Sequence, residues 1–187
     1  MKLIVGLGNP GKQFEKNRHN IGFRILRAFA RKRGLTPWVR RGNSRFILHA
    51  DFTLLLPLTF MNRSGIAVKK WMIQLGVSPS EILVIHDDVD IEFGEIRFKS
   101  GGSSGGHKGL NSIISEIKTQ DFSRLRFGIG KDPDFPTEEF VLQDFSPEEE
   151  GRIQVLLESA IQGLDLWLEE GIEACMNRFN RKNLLSP

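Results

Sequence analysis

Four consecutive apolar residues, Ile82-Leu83-Val84-Ile85, lie between the polar Glu81 and His86, and they constrain the fold more than any other segment. A strand with one wet face alternates apolar and polar side chains, so an unbroken short run of this kind fits a strand buried on both faces. Such a strand needs neighbours beside it and helices above and below. Leu3-Ile4-Val5 and Leu125 to Ile129 read as further strands, and Glu95 to Lys99 alternates as another. Phe46 to Ala50 and Thr53 to Leu56 are β-rich runs separated by Asp51-Phe52, which predicts a hairpin.

Amphipathic segments fill the intervals. Ile21, Phe23, Ile25, Leu26, Phe29 and Ala30 form the apolar face of a first helix that stops at Gly34. A second helix, capped by Ser64 or Asn62, runs through Trp71 to Leu75 and ends at Gly76, and a third spans about His107 to Lys118. Ser146-Pro147-Glu148-Glu149 carries a serine cap, a first-turn proline and the glutamate of a capping box, opening a long helix that ends at Gly171. The expected architecture is a single α/β domain over residues 1–187, with a mixed, mostly parallel twisted sheet and helices on both faces. Ligands of such folds sit off the carboxyl ends of the strands, where Asn9 and Asp87 both fall.

A chain of 187 residues with 40% apolar side chains is long enough to bury one full core. Its single cysteine, Cys175, rules out an internal disulfide and a cysteine-rich metal site. No signal segment or membrane-length apolar run is present, so the expectation is a cytoplasmic protein without a membrane partner. Ten basic residues and one acid, Glu15, lie between Lys12 and Arg41, while acids gather at Asp87-Asp88-x-Asp90 and Glu148 to Glu150. That polarity suits a polyanionic partner, and it equally suits a solvated basic helix face.

Gly6-x-Gly8-x-x-Gly11 follows the first strand and matches a dinucleotide fingerprint in its letters. The fingerprint also needs an immediate helix and an acid about 20 residues later. Here a polar stretch delays the helix to Ile21, and the acid's place reads Arg31-Lys32-Arg33, so no nicotinamide or flavin cofactor is expected. Gly102-x-Ser104-x-Gly106 resembles a nucleophile elbow, but only His107 follows it, inside the next helix, and the order needed for a serine triad fails. The loop instead suits close approach to a phosphate or a peptide backbone. Asp87, Asp88 and Asp90 offer oxygen ligands without a second ligand cluster, so they read as a turn and no metal is expected.

Among the four histidines, His19 alone sits in a polar loop beside a strand-end turn. An imidazole there can take a proton from water at neutral pH, and a carboxylate can fix its tautomer. Asp87, at the end of the central strand, is the natural partner, although a loop histidine is also commonly an inert polar residue.

Gly6-Leu7-Gly8-Asn9-Pro10-Gly11, Arg18-His19-Asn20, Pro57-x-Thr59-Phe60-Met61-Asn62-x-Ser64-Gly65, His86-Asp87-x-x-Asp90, Gly105-Gly106-His107-x-Gly109 and Arg124-Leu125-Arg126-x-Gly128-Ile129-Gly130 together resemble bacterial peptidyl-tRNA hydrolases across almost the whole chain. The resemblance implies a cofactor-free, monomeric esterase that releases tRNA from peptidyl-tRNA and needs no obligate protein partner. It implies that His19 activates water, that Asp87 keeps it basic, and that Asn9 helps separate blocked from free aminoacyl-tRNA. Phe60, Met61 and Asn62, with Phe14 and Lys108, would line the substrate channel, and Arg97, Lys99 and Arg126 would clamp tRNA phosphates. Two positions depart from the family pattern, Phe14 in place of its tyrosine and Lys108 in place of its asparagine. A lysine donates but cannot accept, so the asparagine's role does not pass to Lys108 unchanged, and Asn111 one turn on is a possible substitute. The alternative reading is an RNA-binding relative of the same fold that hydrolyses little.

Overall fold

The computed structural model describes residues 1–180. Seven strands form one sheet: β1 (Lys2–Gly6), β2 (Val39–Arg41), β3 (Ser44–Leu48), β4 (Phe52–Pro57), β5 (Ile82–Asp88), β6 (Ile96–Lys99) and β7 (Ser123–Gly128). Their spatial order is β2-β3-β4-β1-β5-β7-β6. The central four, β4, β1, β5 and β7, are mutually parallel, and antiparallel strands complete both flanks. The sheet is therefore parallel where it is covered on both sides and antiparallel toward its edges, as burial demands.

The continuous apolar runs divide between two cores. Ile4, Leu54, Leu83, Ile85 and Leu125 face α1 (Ile21–Lys32) and α5 (Pro147–Glu170), while Leu3, Val5, Leu55, Val84 and Ile82 face α2 (Ser64–Leu75) and α3 (Lys108–Ile117). Two short helices, α4 (Thr137–Phe140) and α6 (Ile172–Phe179), complete the chain's helical set among the described residues. α5 begins with the expected capping box: Glu149 N–H donates to the Ser146 hydroxyl, and Ser146 N–H donates to the Glu149 carboxylate.

Three local expectations change, and one strand was not expected. The hairpin turn lies before Phe52, which is the first residue of β4 and fully part of the core. Neither Ser64 nor Asn62 caps α2; Ser64 is its first residue, and its hydroxyl donates to the Met61 carbonyl. β2 is too short and too exposed to leave an apolar signature. His19 lies not in an open loop but in a buried 3-10 turn, Arg18–Asn20, which leads directly into α1.

Two glycines decide where that turn sits. A Cβ on Gly22 would lie 2.5 Å from the Ile85 carbonyl oxygen and 2.6 Å from Leu7 N, and one on Gly6 would lie 2.5 Å from the Gly22 carbonyl oxygen. Only glycine lets the start of α1 rest on the ends of β1 and β5. The contact carries the residues before α1 over the carboxyl end of β5, where Asp87 lies.

Much of the basic segment is answered within the fold. Arg18, Arg24, Lys32 and Arg33 pair with Glu149, Glu150, Glu158 and Asp165, which lie along α5. The three outer pairs are exposed and worth only about 0.2–1 kcal/mol each, but they align α1 with α5; the Arg18–Glu149 pair is largely buried. Arg40 and Arg41 lie on the edge strand β2, where charge discourages pairing with a foreign strand. At the opposite edge, Phe98 N–H donates to Asn180 Oδ1 at 2.8 Å, and Asn180 Nδ2 donates back to the Phe98 carbonyl at 2.7 Å.

Candidate active site

A cleft of about 720 Å³ opens over the carboxyl ends of the parallel strands, and Asn9, His19, Asp87 and His107 lie on its wall. Asp87 is the sixth residue of β5, and its side chain is almost wholly buried. Both of its oxygens stand 2.9 Å from His19 Nδ1, and Oδ1 also stands 2.9 Å from His107 Nε2. Burial alone would push this carboxyl up, but the two imidazoles facing it outweigh burial and hold it well below the usual carboxylate range.

The ring protons follow from the surrounding donors. His107 is the N-cap of α3, and its Nδ1 accepts the N–H groups of Gly109 at 3.1 Å and Leu110 at 3.3 Å. Its proton must therefore be on Nε2, where it is donated to Asp87. The ionised carboxylate likewise requires a proton on His19 Nδ1, which leaves Nε2 as the basic nitrogen of that ring. The donor sets of His19, Asp87 and His107 lie within 4.8 Å of one another, but a His107 fixed as an Nε2–H donor turns a proton toward that space and not a lone pair. Asp88 and Asp90 do not join them: Asp88 accepts from Arg126 Nε at 2.8 Å, and Asp90 pairs with Lys131 at 2.7 Å.

Asn9 is held from both ends. Its backbone N–H and carbonyl are both bonded to the Asn20 amide at 2.9 Å, and its Oδ1 accepts the Met61 N–H at 2.8 Å. With its oxygen occupied, the Asn9 side chain presents the cleft with a donor, Nδ2. The glycine turn keeps few amides for an anion, since Leu7 N–H goes to the Ile85 carbonyl and Asn9 N–H to Asn20.

The other expected residues divide into those at the cleft and those behind it. Phe60, Met61, Asn62, Lys99, Lys108 and Arg126 line it. Phe14 does not; it packs edge-on against Phe60 with ring centroids 6.5 Å apart, and so supports the wall. Arg97 lies opposite Arg126 in the β6–β7 ladder but pairs with Glu95 at 2.9 Å, outside the cleft lining. Lys108 is exposed, and its ammonium stands 3.9 Å from Glu138 across the cleft mouth.

Three further residues of the site carry little or no signal in the linear sequence. His107 is signalled only by its place before α3, just after the glycine-serine loop. His86 is buried and neutral: burial first, then the neighbouring His107, pushes its imidazole down to about 3, and its Nδ1–H donates to the Asp87 carbonyl at 2.7 Å. Arg124 is buried beneath the glycine-serine loop, which it ties to the segment after α3 by bonds to the carbonyls of Gly102 and Ser103 on one side and Gln120 on the other. Burial, and then Arg126, pushes its guanidinium down to about 10. Nothing in the linear pattern distinguished this arginine from Arg126 two residues away.

The family model for peptidyl-tRNA hydrolase matches residues 3–186. The chain belongs to the peptidyl-tRNA hydrolase family. Its similarity to known members runs end to end. The peptidyl-tRNA hydrolase of Thermodesulfovibrio yellowstonii is 43% identical over 188 residues, covering 97% of this chain and 100% of that protein. The one from Pseudothermotoga lettingae is 44% identical over 181 residues, covering 96% and 97% of the two chains. A crystal structure of the Acinetobacter baumannii peptidyl-tRNA hydrolase superposes with a TM-score of 0.88 at 34% identity, covering 96% of this chain and 94% of that one. Among the described residues no helix is long and apolar enough to cross a membrane.

Proposed function

We propose that this chain hydrolyses the ester between a peptide and the 3′ ribose of tRNA, with His19 as general base, Asp87 as its orienting acid and Asn9 as a donor to the ester carbonyl. The observation that carries the assignment is the hydrogen-bonded chain from α3 through His107 and Asp87 to His19 Nδ1, which leaves Nε2 as the His19 ring nitrogen not engaged by Asp87, in a residue on the cleft wall. Water attacks the carbonyl carbon as Nε2 takes its proton, and charge develops on the carbonyl oxygen, where a fixed amide donor such as Asn9 Nδ2 is most effective. Collapse of the tetrahedral intermediate expels the ribose oxygen, which recovers the proton from the imidazolium. The ionised Asp87 stabilises that imidazolium while it exists. No covalent nucleophile is needed, and the chemistry uses no cofactor.

Lys99 and Arg126 line the cleft, where they can meet tRNA phosphates, with Arg97 paired opposite Arg126 in the β6–β7 ladder. Phe60, Met61 and Asn62, backed by Phe14, form the side we assign to the peptidyl end, with Lys108 at its rim. We place the protein in the cytoplasm as a monomer formed by one domain over residues 1–187. Incubation with N-acetylaminoacyl-tRNA should release free tRNA, and His19→Ala should abolish the release. Equal rates for the two proteins would remove His19 from the mechanism. Binding of tRNA without release by the wild type would favour the non-hydrolytic relative instead.

A further inference from the structure

We infer that Arg18 is a positioning residue: its buried guanidinium fastens the turn that carries His19 to the α4–α5 segment, and so fixes the base against Asp87. The inference rests on His19 being the base. Arg18 is only 6% exposed, and its guanidinium lies 4.1 Å from the Phe140 ring centroid and 5.5 Å from that of Phe145. Its Nη2 donates to Glu149 Oε2 at 2.9 Å, the same oxygen that accepts the Ser146 N–H in the α5 capping box. One side chain thus touches the last residue of α4, the aromatic between the helices and the first turn of α5.

The backbone repeats the connection. Arg18 N–H donates to the Gln143 carbonyl at 3.0 Å, His19 N–H donates to the Val141 carbonyl at 2.9 Å, and Asn17 Nδ2 donates to Asp144 Oδ1 at 2.8 Å. Val141 and Leu142 also line the cleft, so the wall that faces the substrate and the turn that holds the base form one body.

Stability does not account for a charge at this place. Arg18 Nε and Nη1 are buried without a hydrogen-bond partner among the described residues. Replacing both members of a buried ion pair by well-packed apolar groups is often neutral or stabilising, whereas removing one member alone destabilises. What an apolar side chain lacks is direction: the planar fork fits one arrangement of carboxylate and rings, whereas a hydrophobic contact permits sliding. A proton transfer loses rate steeply when its groups are displaced, by about a hundredfold for 1 Å.

The test compares wild type with Arg18→Met, Arg18→Lys, Glu149→Gln and His19→Ala, using N-acetylaminoacyl-tRNA hydrolysis together with the low-field NMR signal of the His19 Nδ1 proton, assigned by its absence from His19→Ala. Arg18→Met should lower kcat by about tenfold to a hundredfold with KM within about twofold, and should shift or broaden the proton signal; it also leaves Glu149 without its partner, so some loss of melting temperature is expected. Arg18→Lys keeps the charge without the fork and should recover part of kcat. A kcat within about twofold of wild type, or a loss of kcat with the His19 signal unmoved, overturns the inference. Should Arg18→Met not fold, Glu149→Gln keeps the capping box, removes the partner's charge and decides on the same two readouts. Activity retained by His19→Ala would instead reject the base itself, and the proton signal would still report whether Arg18 orients the ring.

Discussion

Replacing Asp87 with asparagine tests the tautomer chain directly, because shape is preserved and only the donor pattern changes. Asp87 accepts from two rings: Oδ1 faces His107 Nε2 and His19 Nδ1, and Oδ2 faces His19 Nδ1 alone, all at 2.9 Å. An asparagine has one acceptor and one donating NH2. His107 cannot yield, since its Nδ1 is held by the amides of Gly109 and Leu110 and its Nε2 must keep the proton. The asparagine oxygen therefore turns to His107, and its NH2 meets His19 Nδ1. To accept that hydrogen bond His19 must move its proton to Nε2, the nitrogen that should attack water's proton. The base is then absent in the favoured tautomer, a defect worth about a thousandfold to ten-thousandfold in kcat in sites of this kind. That corresponds to about 4–5.5 kcal/mol of barrier. Single-turnover hydrolysis of N-acetylaminoacyl-tRNA measures it without interference from product release, and nitrogen NMR of labelled histidine should find the His19 proton on Nε2. A loss below about tenfold, or a His19 proton still on Nδ1, would refute the derivation.

The remaining expectations concern stability and access. The folded Asp87 carboxyl lies below its ordinary range, so its ionisation stabilises the protein above pH ~4 and that contribution fades as pH falls further; Asp87→Asn should flatten the acid side of a stability-versus-pH curve followed by urea unfolding. Gly22→Ala forces a methyl against the Leu7 and Ile85 backbone and should cost about 3 kcal/mol in chemical denaturation, whereas a cost below about 1 kcal/mol would show that α1 does not need this contact. Asn180→Ala frees both backbone groups of Phe98 at the sheet edge; it should lose about 1–2 kcal/mol and raise light scattering at high concentration. Cys175, whose thiol burial pushes up to about 11, should resist a disulfide reagent at pH 8 and react at once in denaturant.

What was legible in the sequence was whatever local pattern determines. Ile82 to Ile85 announced a strand covered on both faces, and the Ser146 capping box located the start of α5 to the residue. His19 and Asp87 were singled out because their residue types and strand-end positions suit base chemistry, and the structure brings them within 2.9 Å of each other. His107 escaped because its role depends on which nitrogen α3 engages, a fact of geometry between residues 20 apart in the chain. Arg18 and Arg124 escaped because a buried arginine and a solvated one are the same letter. The basic segment was ambiguous for a related reason: its partners lie on α5, more than a hundred positions away, and no local window contains both.

The clasp between Arg18 and Glu149 joins residues 131 apart, so it sets a time as well as a place. Synthesis delivers His19 early and the segment that seats it late. Until residues 141 to 149 are available, the turn before α1 lacks the carbonyls and the carboxylate that orient it. The non-local contacts of the site are also the slow ones to form. If the clasp orients the base as inferred, the growing chain stays inactive until residues 141 to 149 have folded onto the turn.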